Sequence, residues 1–343
     1  MVRYILLFFC LLAFTPFSSL AQSDTTPSGV SEEAAEALGE DRGKTEEEQL
    51  EEILSSQRSE YDLIKQGNFQ LDYDVSYSFN SNPRSQIVSQ NDTGFIINNL
   101  TRDSQHTLNH RVNLRYGLFN YLTTGFSLPV VSKFNSANDQ SVSAFGDLSL
   151  STRYQPYVVK PGQAKVTLNS SLSIPTGRSS YEIDRDQELS TGSGLYSASG
   201  GINFSKAFDP VVAFGNFSAN YTLPRDNIDQ RRRSGLLKKI EPGPSFSWGL
   251  GMAYSLSYDV SINYSFSYSV SMPSQLTFIQ PDGSTNIFET DPSTSATLNF
   301  STGWRIDPRY QLNVSLGIGL TDNAPAFSIS TGFPLVLESP AYL

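Results

Sequence analysis

From Asn68 onward, apolar and polar residues alternate singly along most of this chain. Phe69, Leu71, Tyr73, Val75, Tyr77 and Phe79 are separated by Gln70, Asp72, Asp74, Ser76 and Ser78. The longest run is Tyr258, Val260, Ile262, Tyr264, Phe266, Tyr268, Val270 and Met272, interleaved with Asp259, Ser261, Asn263 and four further serines. A period of two puts successive side chains on opposite faces of a strand. Twelve such segments are expected, over residues 68–80, 105–117, 121–132, 144–155, 164–175, 193–206, 210–223, 243–256, 258–272, 294–306, 309–320 and 325–337. Each is about as long as a tilted membrane-crossing strand of roughly 9–11 residues. Strands in soluble sheets are typically about 5–6 residues.

The connections carry a second signal. Those after the odd-numbered segments are long and polar, as in 176–192 and 224–242. Those after the even-numbered ones are mostly tight, as in Gly117–Asn120, Ala207–Pro210 and Asp307–Pro308, with Pro156–Gln163 the longer exception. Long outer loops alternating with short inner turns are the pattern of outer-membrane barrels. The last outer connection, Thr321–Ala324, is too short for that rule. Aromatics gather on the apolar face (Tyr116, Phe126, Tyr196, Phe204, Trp248, Tyr254, Phe300, Trp304 and Tyr310), as interfacial girdles would. The expectation is an all-β fold over residues 67–343: a transmembrane, antiparallel, up-and-down β-barrel of about twelve strands with both termini in the periplasm.

What precedes the barrel has a different character. Residues 1–21 read as a secretory signal peptide, with Arg3 before an apolar core and Ser19-Leu20-Ala21 as a cleavage site. Cys10, the only cysteine, lies in that core, so disulfide frameworks and cysteine metal sites are excluded from the mature chain. Residues 22–43 are rich in Ser, Thr, Gly, Ala and Glu and read as disordered. Within 44–66, Thr45-Glu-Glu-Glu48 matches a capping box. Leu50, Ile53, Leu54, Tyr61 and Ile64 follow at helical spacing, broken by Gln57, which predicts a short periplasmic helix over about 46–65, ended by Gly67. Its apolar stripe makes residues 46–65 a candidate homo-oligomerisation segment.

Charge changes this picture in one respect. The chain carries a net charge of -10, and 17% of its residues are charged, below the ~25% usual for soluble domains. Residues 22–66 hold 13 acids and 4 bases, and the chain from Gly67 onward is left at -2. The acidity therefore belongs to the segment before the barrel. No basic face for nucleic acid is indicated. No dinucleotide fingerprint, phosphate loop or zinc spacing occurs, so no cofactor and no metal are expected.

Several local motifs follow one another in a familiar order: Leu114-Arg-Tyr-Gly-Leu118, Leu122-Thr-Thr-Gly-Phe-Ser-Leu-Pro-Val130, Phe145-Gly-Asp-Leu148, Ile174-Pro-Thr-Gly177, Thr191-Gly-Ser-Gly194, Gly317–Pro325 and Gly332-Phe-Pro334. Over roughly residues 68–337 the chain resembles the outer-membrane transporter family labelled "Putative MetA-pathway of phenol degradation". That resemblance implies uptake of small, aromatic or hydrophobic molecules through the outer membrane of a Gram-negative bacterium. A helix ahead of a twelve-stranded barrel is also similar to the channels that secrete functional-amyloid subunits, which implies a periplasmic segment that gates the pore. Ser330-Thr-Gly332-Phe-Pro-Leu335-Val-Leu337 resembles a barrel-assembly signal and implies the assembly machinery as a partner, although Pro334 and the tail after Leu337 depart from it.

Strand parity names the candidate site. Asp72, Asp74, Arg111, Arg115, Arg153, Lys165 and Arg305 are the charged residues expected to line the pore, most of them near its periplasmic end. They form a charged constriction or a docking ring for the acidic N-terminal segment. Arg231, Arg232, Arg233, Lys238 and Lys239 form an extracellular basic loop suited to lipopolysaccharide phosphates. The two histidines, His106 and His110, fall on the lipid side. Their position resembles that in a lipid-active Ser–His enzyme, but no nearby pattern supplies an obvious Ser nucleophile and orienting Asn, so no catalytic residue is expected. Two readings stand: a small-molecule channel, and an export pore for an amyloid-like or other unfolded polypeptide gated by residues 22–66.

Overall fold

The computed structural model describes residues 63–89, 96–136, 139–160, 162–184, 187–208, 211–232, 235–257, 259–307 and 310–337. The strands are β1 (Phe69–Ser89), β2 (Ile96–Phe119), β3 (Leu122–Asn135), β4 (Gln140–Phe145), β5 (Leu148–Tyr154), β6 (Lys165–Ile174), β7 (Ser197–Phe208) and β8 (Val211–Thr222). After them come β9 (Gln230–Arg232), β10 (Gly235–Glu241), β11 (Ser245–Ser255), β12 (Val260–Ser271) and β13 (Gln275–Ile279). The last four are β14 (Thr285–Glu289), β15 (Ser293–Asp307), β16 (Tyr310–Gly319) and β17 (Phe327–Leu337).

Thirteen of these strands form one sheet in which chain neighbours pair antiparallel. β1 pairs with both β2 and β17, and a β2–β3 pairing closes the circle. β4 and β5 share one position in the wall: β3 pairs with β5 through Leu122–Ser127 and with β4 through Val130–Asn135. The barrel therefore has twelve staves, as the alternation requires. Closure leaves no open edge along the wall, the condition for placing backbone in a lipid environment.

The outer face is apolar and exposed. Leu172, Phe204, Phe217, Trp248, Leu250 and Trp304 are among the many large side chains on it, Leu172 being 56% exposed. Cross-strand aromatic contacts brace this face, such as Trp248 with Phe266 and Tyr264 with Phe300. The wall thus inverts the soluble arrangement, with its grease outside and hydroxyls and amides within.

Four features differ from the sequence expectation. β1 and β2 do not stop near residues 80 and 105; they continue as a paired ribbon to Ser89 and Ile96. β17 stays with β1 only as far as Phe79. At about 3.3 Å per residue, the ten further residues of β1 extend roughly 33 Å past that last pairing. Second, the expected fourth strand is broken at Gly146–Asp147, where the Gly146 amide turns to Pro129 O (2.8 Å). Third, the two long outer connections after β8 and β12 contain β9, β10, β13 and β14, which form their own four-stranded sheet. This sheet and the 175–196 loop share a core of Leu195, Ile228, Leu237, Ile240 and Phe278. Fourth, of the helix expected over 46–65 only residues 63–65 are described, and they are not helical. The signal peptide, the 22–43 segment and the rest of that helix lie outside the described residues.

The short outer connection after β16 also has a physical account. Thr321 Oγ1 accepts the Ala296 amide (3.0 Å) and donates to Thr294 O (3.3 Å), and Asn323 Nδ2 donates to the same carbonyl. The loop is pinned onto the start of β15 and needs no length of its own.

Candidate permeation pathway

The inner face encloses a cavity of about 780 Å³. Most of its lining comes from one parity of each strand: Ser127, Ser151, Ser171, Asn216, Asn263, Ser265, Asn299, Ser301, Asn313 and Ser315 among others. These short side chains present donors and acceptors to water and leave room along the axis.

Charge is concentrated on β1, β2 and β5. Asp72, Asp74, Arg111, Arg115 and Arg153 all line the cavity. Arg115 Nε donates to Asp72 Oδ2 (2.8 Å), and its Nη2 lies 2.7 Å from the same oxygen. Gln70 Nε2 donates to Asp72 Oδ1 (2.8 Å), so both carboxylate oxygens are engaged. The Asp72 and Arg115 side chains are only 6% and 5% exposed. Asn113 Nδ2 donates to Asp74 Oδ2 (2.7 Å). Arg111 is exposed to the lumen. Lys165 opens β6 next to a periplasmic connection, and Arg305 lies near the periplasmic end of β15. Both hold the inward register, Lys165 opposite Ser205 and Arg305 opposite Gln311.

Halfway round the ring, β8 and β11 put something different on the inner face. Phe214 shares the inward parity of Asn216, yet it is aromatic and buried, packed with Val212 and Ala253. Its ring lies over Gly251, where an added Cβ would come within 2.2 Å of it. Strand parity alone did not single out Phe214. The signal was present: Phe214 and Phe217 are three residues apart, so they cannot share a face of one strand.

The periplasmic mouth holds the residues that lead into β1. The Ile64 amide donates to Thr123 Oγ1 (2.9 Å) and the Gln66 amide to Asn120 Oδ1 (3.1 Å). The Gly67 amide donates to Gly117 O (2.9 Å). Thr123 is inward by register, opposite Arg153, and both Thr123 and Ile64 are buried. Gly117 makes this approach possible: a Cβ there would stand 2.2 Å from Lys65 O and 2.5 Å from Ile64 O.

The basic loop residues belong to the outer four-stranded sheet and its approach. Lys238 pairs with Asp229; Lys239 pairs with Glu241 (2.8 Å) and more distantly with Asp226 (3.7 Å). The hydrogen bond to Glu241, followed by the nearby negative charge, holds the Lys239 pKa above its ordinary value. Arg232 Nε donates to Gln230 Oε1 and its guanidinium lies over the Tyr181 ring. Arg231 is exposed, and Arg233 is outside the described residues. Much of this charge is therefore answered within the loop.

His106 and His110 face outward. Tyr77 and Tyr73 hydroxyls each sit 2.8 Å from their Nδ1 atoms, so the imidazoles are engaged by tyrosine rather than serine. Among the described residues no group of three or more His, Cys, Asp or Glu side chains is placed to hold a metal.

The barrel superposes on an outer membrane channel from Pseudomonas putida F1 with a TM-score of 0.63 at 17% identity, covering 81% of this chain and 98% of that one. The KdgM porin (TM-score 0.40, 10% identity, 78% and 99% covered) and the Pseudomonas putida toluene transporter TodX (0.38, 12%, 83% and 92%) also align, at scores too low to carry weight. The family described as "Putative MetA-pathway of phenol degradation" matches residues 88–335. With a match over most of its length and the fold of an outer-membrane channel, the chain belongs to that family.

Proposed function

We propose that this protein is an outer-membrane channel of a Gram-negative bacterium through which small molecules diffuse. The observation that carries the reading is the wall itself: closed, apolar towards lipid, and lined inside mainly by serine and asparagine around a cavity of about 780 Å³. The family's description points to aromatic cargo. The charged wall of Asp72, Asp74, Arg111, Arg115 and Arg153 then filters solutes by charge. Residues 1–21 direct export, the barrel-assembly machinery inserts the chain, and lipopolysaccharide surrounds the outer sheet. Self-association through residues 46–65 would use the part that precedes Ile64, which is itself buried at the periplasmic mouth. No catalytic step is assigned to it.

Planar-bilayer conductance and liposome swelling with a panel of neutral, anionic and aromatic solutes test this. Discrete conductance is expected, with ion selectivity that shifts in Arg111→Ala. A folded barrel that passes neither ions nor solutes overturns the reading. Export of an unfolded polypeptide is the second reading, favoured by the seating of Ile64–Gly67 on the inner wall at the periplasmic mouth. Deleting residues 22–66 separates the two: a gate predicts larger conductance, whereas a simple spacer leaves it unchanged.

A further inference from the structure

Three short motifs that are far apart in sequence meet at one carboxylate. Asp147 stands at the break between β4 and β5, on the same parity as the lumen residues Ser149 and Ser151. Its Oδ1 accepts the Gly177 amide (3.1 Å), and its Oδ2 accepts both the amide and the hydroxyl of Ser193 (2.6 Å each). Gly177 and Ser193 are the two feet of the long loop between β6 and β7. One side chain therefore holds both ends of that loop.

The surrounding contacts act in the same direction. Thr176 Oγ1 donates to Gly146 O (2.9 Å) and accepts the Leu148 amide (3.0 Å). Thr191 Oγ1 donates to Phe145 O (2.8 Å) and accepts the Arg178 amide (3.0 Å). Lys133 Nζ donates to Ser190 O (2.7 Å). Lys133 shares the parity of Gly125 and Ser127, which line the lumen, so the loop is drawn onto the inner side of the wall. Gly177 and Gly192 touch so closely that a Cβ on either would come within 2.8 Å of the other's Cα. Two residues beyond Ser193, Leu195 is buried in the core of the outer sheet. A loop fixed at its feet thus carries that sheet with it.

We infer that Asp147 is a positioning residue that sets the size limit of the outer half of the channel. Its carboxylate clasps the 176–193 loop against the inner wall, and the loop with its attached sheet forms the outer restriction. An anion with two acceptor oxygens is what this position requires, because three donors converge on it, and charge-assisted bonds are about twice as strong as neutral ones. Asparagine keeps one acceptor and turns an amide donor towards the remaining donors. Alanine keeps none. This inference rests on the channel reading above.

The test compares wild type, Asp147→Ala and Asp147→Asn as full-length barrels, each shown to be folded by its heat-modifiable migration. Hydrogen exchange in micelles follows peptides containing the Gly177 and Ser193 amides. Liposome swelling follows neutral sugars of increasing size. In Asp147→Ala the two amides should exchange about tenfold faster or more, with β6 and β7 unchanged, and sugars that wild type excludes should enter. Asp147→Asn should be intermediate, and it serves as the test if the alanine variant fails to fold. Unchanged exchange overturns the clasp; faster exchange with an unchanged size limit overturns the loop as the restriction. If wild type itself passes no solute or current, the channel reading falls and the size limit falls with it. Unchanged exchange beside normal wild-type permeation removes the inference alone.

Discussion

The Asp72–Arg115 pair at the inner wall offers a quantitative test of how this barrel is held together. Both side chains are about 95% sequestered, and the two Arg115–Asp72 contacts are 2.8 and 2.7 Å, with Gln70 on the remaining carboxylate oxygen. Removing one member leaves the other charged and buried, which costs about 3–5 kcal/mol, whereas removing both together is close to neutral. The perturbations are Asp72→Asn, Arg115→Met and the double variant, chosen to keep volume. With a urea slope of about 2–3 kcal/mol per M, a loss of about 3 kcal/mol lowers the unfolding midpoint by roughly 1–1.5 M. The two tryptophans, Trp248 and Trp304, report it: both lie on the lipid face, 40% and 39% exposed, on strands remote from the pair. The cycle should give a coupling of about 3 kcal/mol that survives about 1 M salt, because buried pairs are poorly screened. A coupling below about 1 kcal/mol, or one abolished by salt, is the behaviour of an exposed pair and would refute the reasoning.

Three further outcomes follow from particular contacts. Gly117→Ala places a methyl against two backbone carbonyls, at a cost of about 1–3 kcal/mol, and should free residues 64–66 from the periplasmic mouth. A cysteine probe at Ile64→Cys should then label faster with an impermeant maleimide than in the same variant with Gly117 retained; equal rates would count against the seating. Tyr73→Phe strips His110 Nδ1 of its partner on the lipid face and should cost about 1–3 kcal/mol in urea unfolding, most of it recovered by adding His110→Phe. Asp282, in the β13–β14 turn, accepts the Ser284 hydroxyl (2.7 Å) and amide (2.9 Å), which hold its pKa below the ordinary 3.8. A depressed folded value stabilises the turn fully above pH 3.8 and loses that contribution as pH falls through the lower value. An NMR titration of the Asp282 carboxyl should show the low midpoint, and Ser284→Ala should move it upward.

Much of the barrel is written locally. Each strand residue faces either lipid or the lumen, and the pleat converts that choice into a period of two that needs no knowledge of partners. The twelve staves, the neutral serine and asparagine lining, and the inward placement of Asp72, Asp74, Arg111, Arg115 and Arg153 follow from parity alone. Which charges meet does not. Arg115 finds Asp72 because the β1–β2 register sets Arg115 opposite Gln70, and a slip of one residue would turn every side chain to the other face. The outer sheet was hidden for a related reason: Leu236, Leu237 and Ile240 do not alternate, because β10 bulges between Leu237 and Lys239. Lys238 and Lys239 therefore looked like free basic charge, and only folding brings Asp229, Asp226 and Glu241 to them.

The motifs Phe145-Gly-Asp147, Pro175-Thr-Gly177 and Thr191-Gly-Ser193 could be quoted from the sequence but not joined. Their meaning is a contact between chain segments some 30 to 46 residues apart, Gly177 and Ser193 on Asp147. Phe214 is inward for the same kind of reason, its ring resting over a glycine on the next strand. The sequence by itself determined the wall, because alternation is a property of each strand and its two solvents. The tertiary structure decided the pore's contents (the ion pair, the seated Ile64, the clasped loop and its sheet), because those depend on registers and long-range contacts that no local pattern encodes.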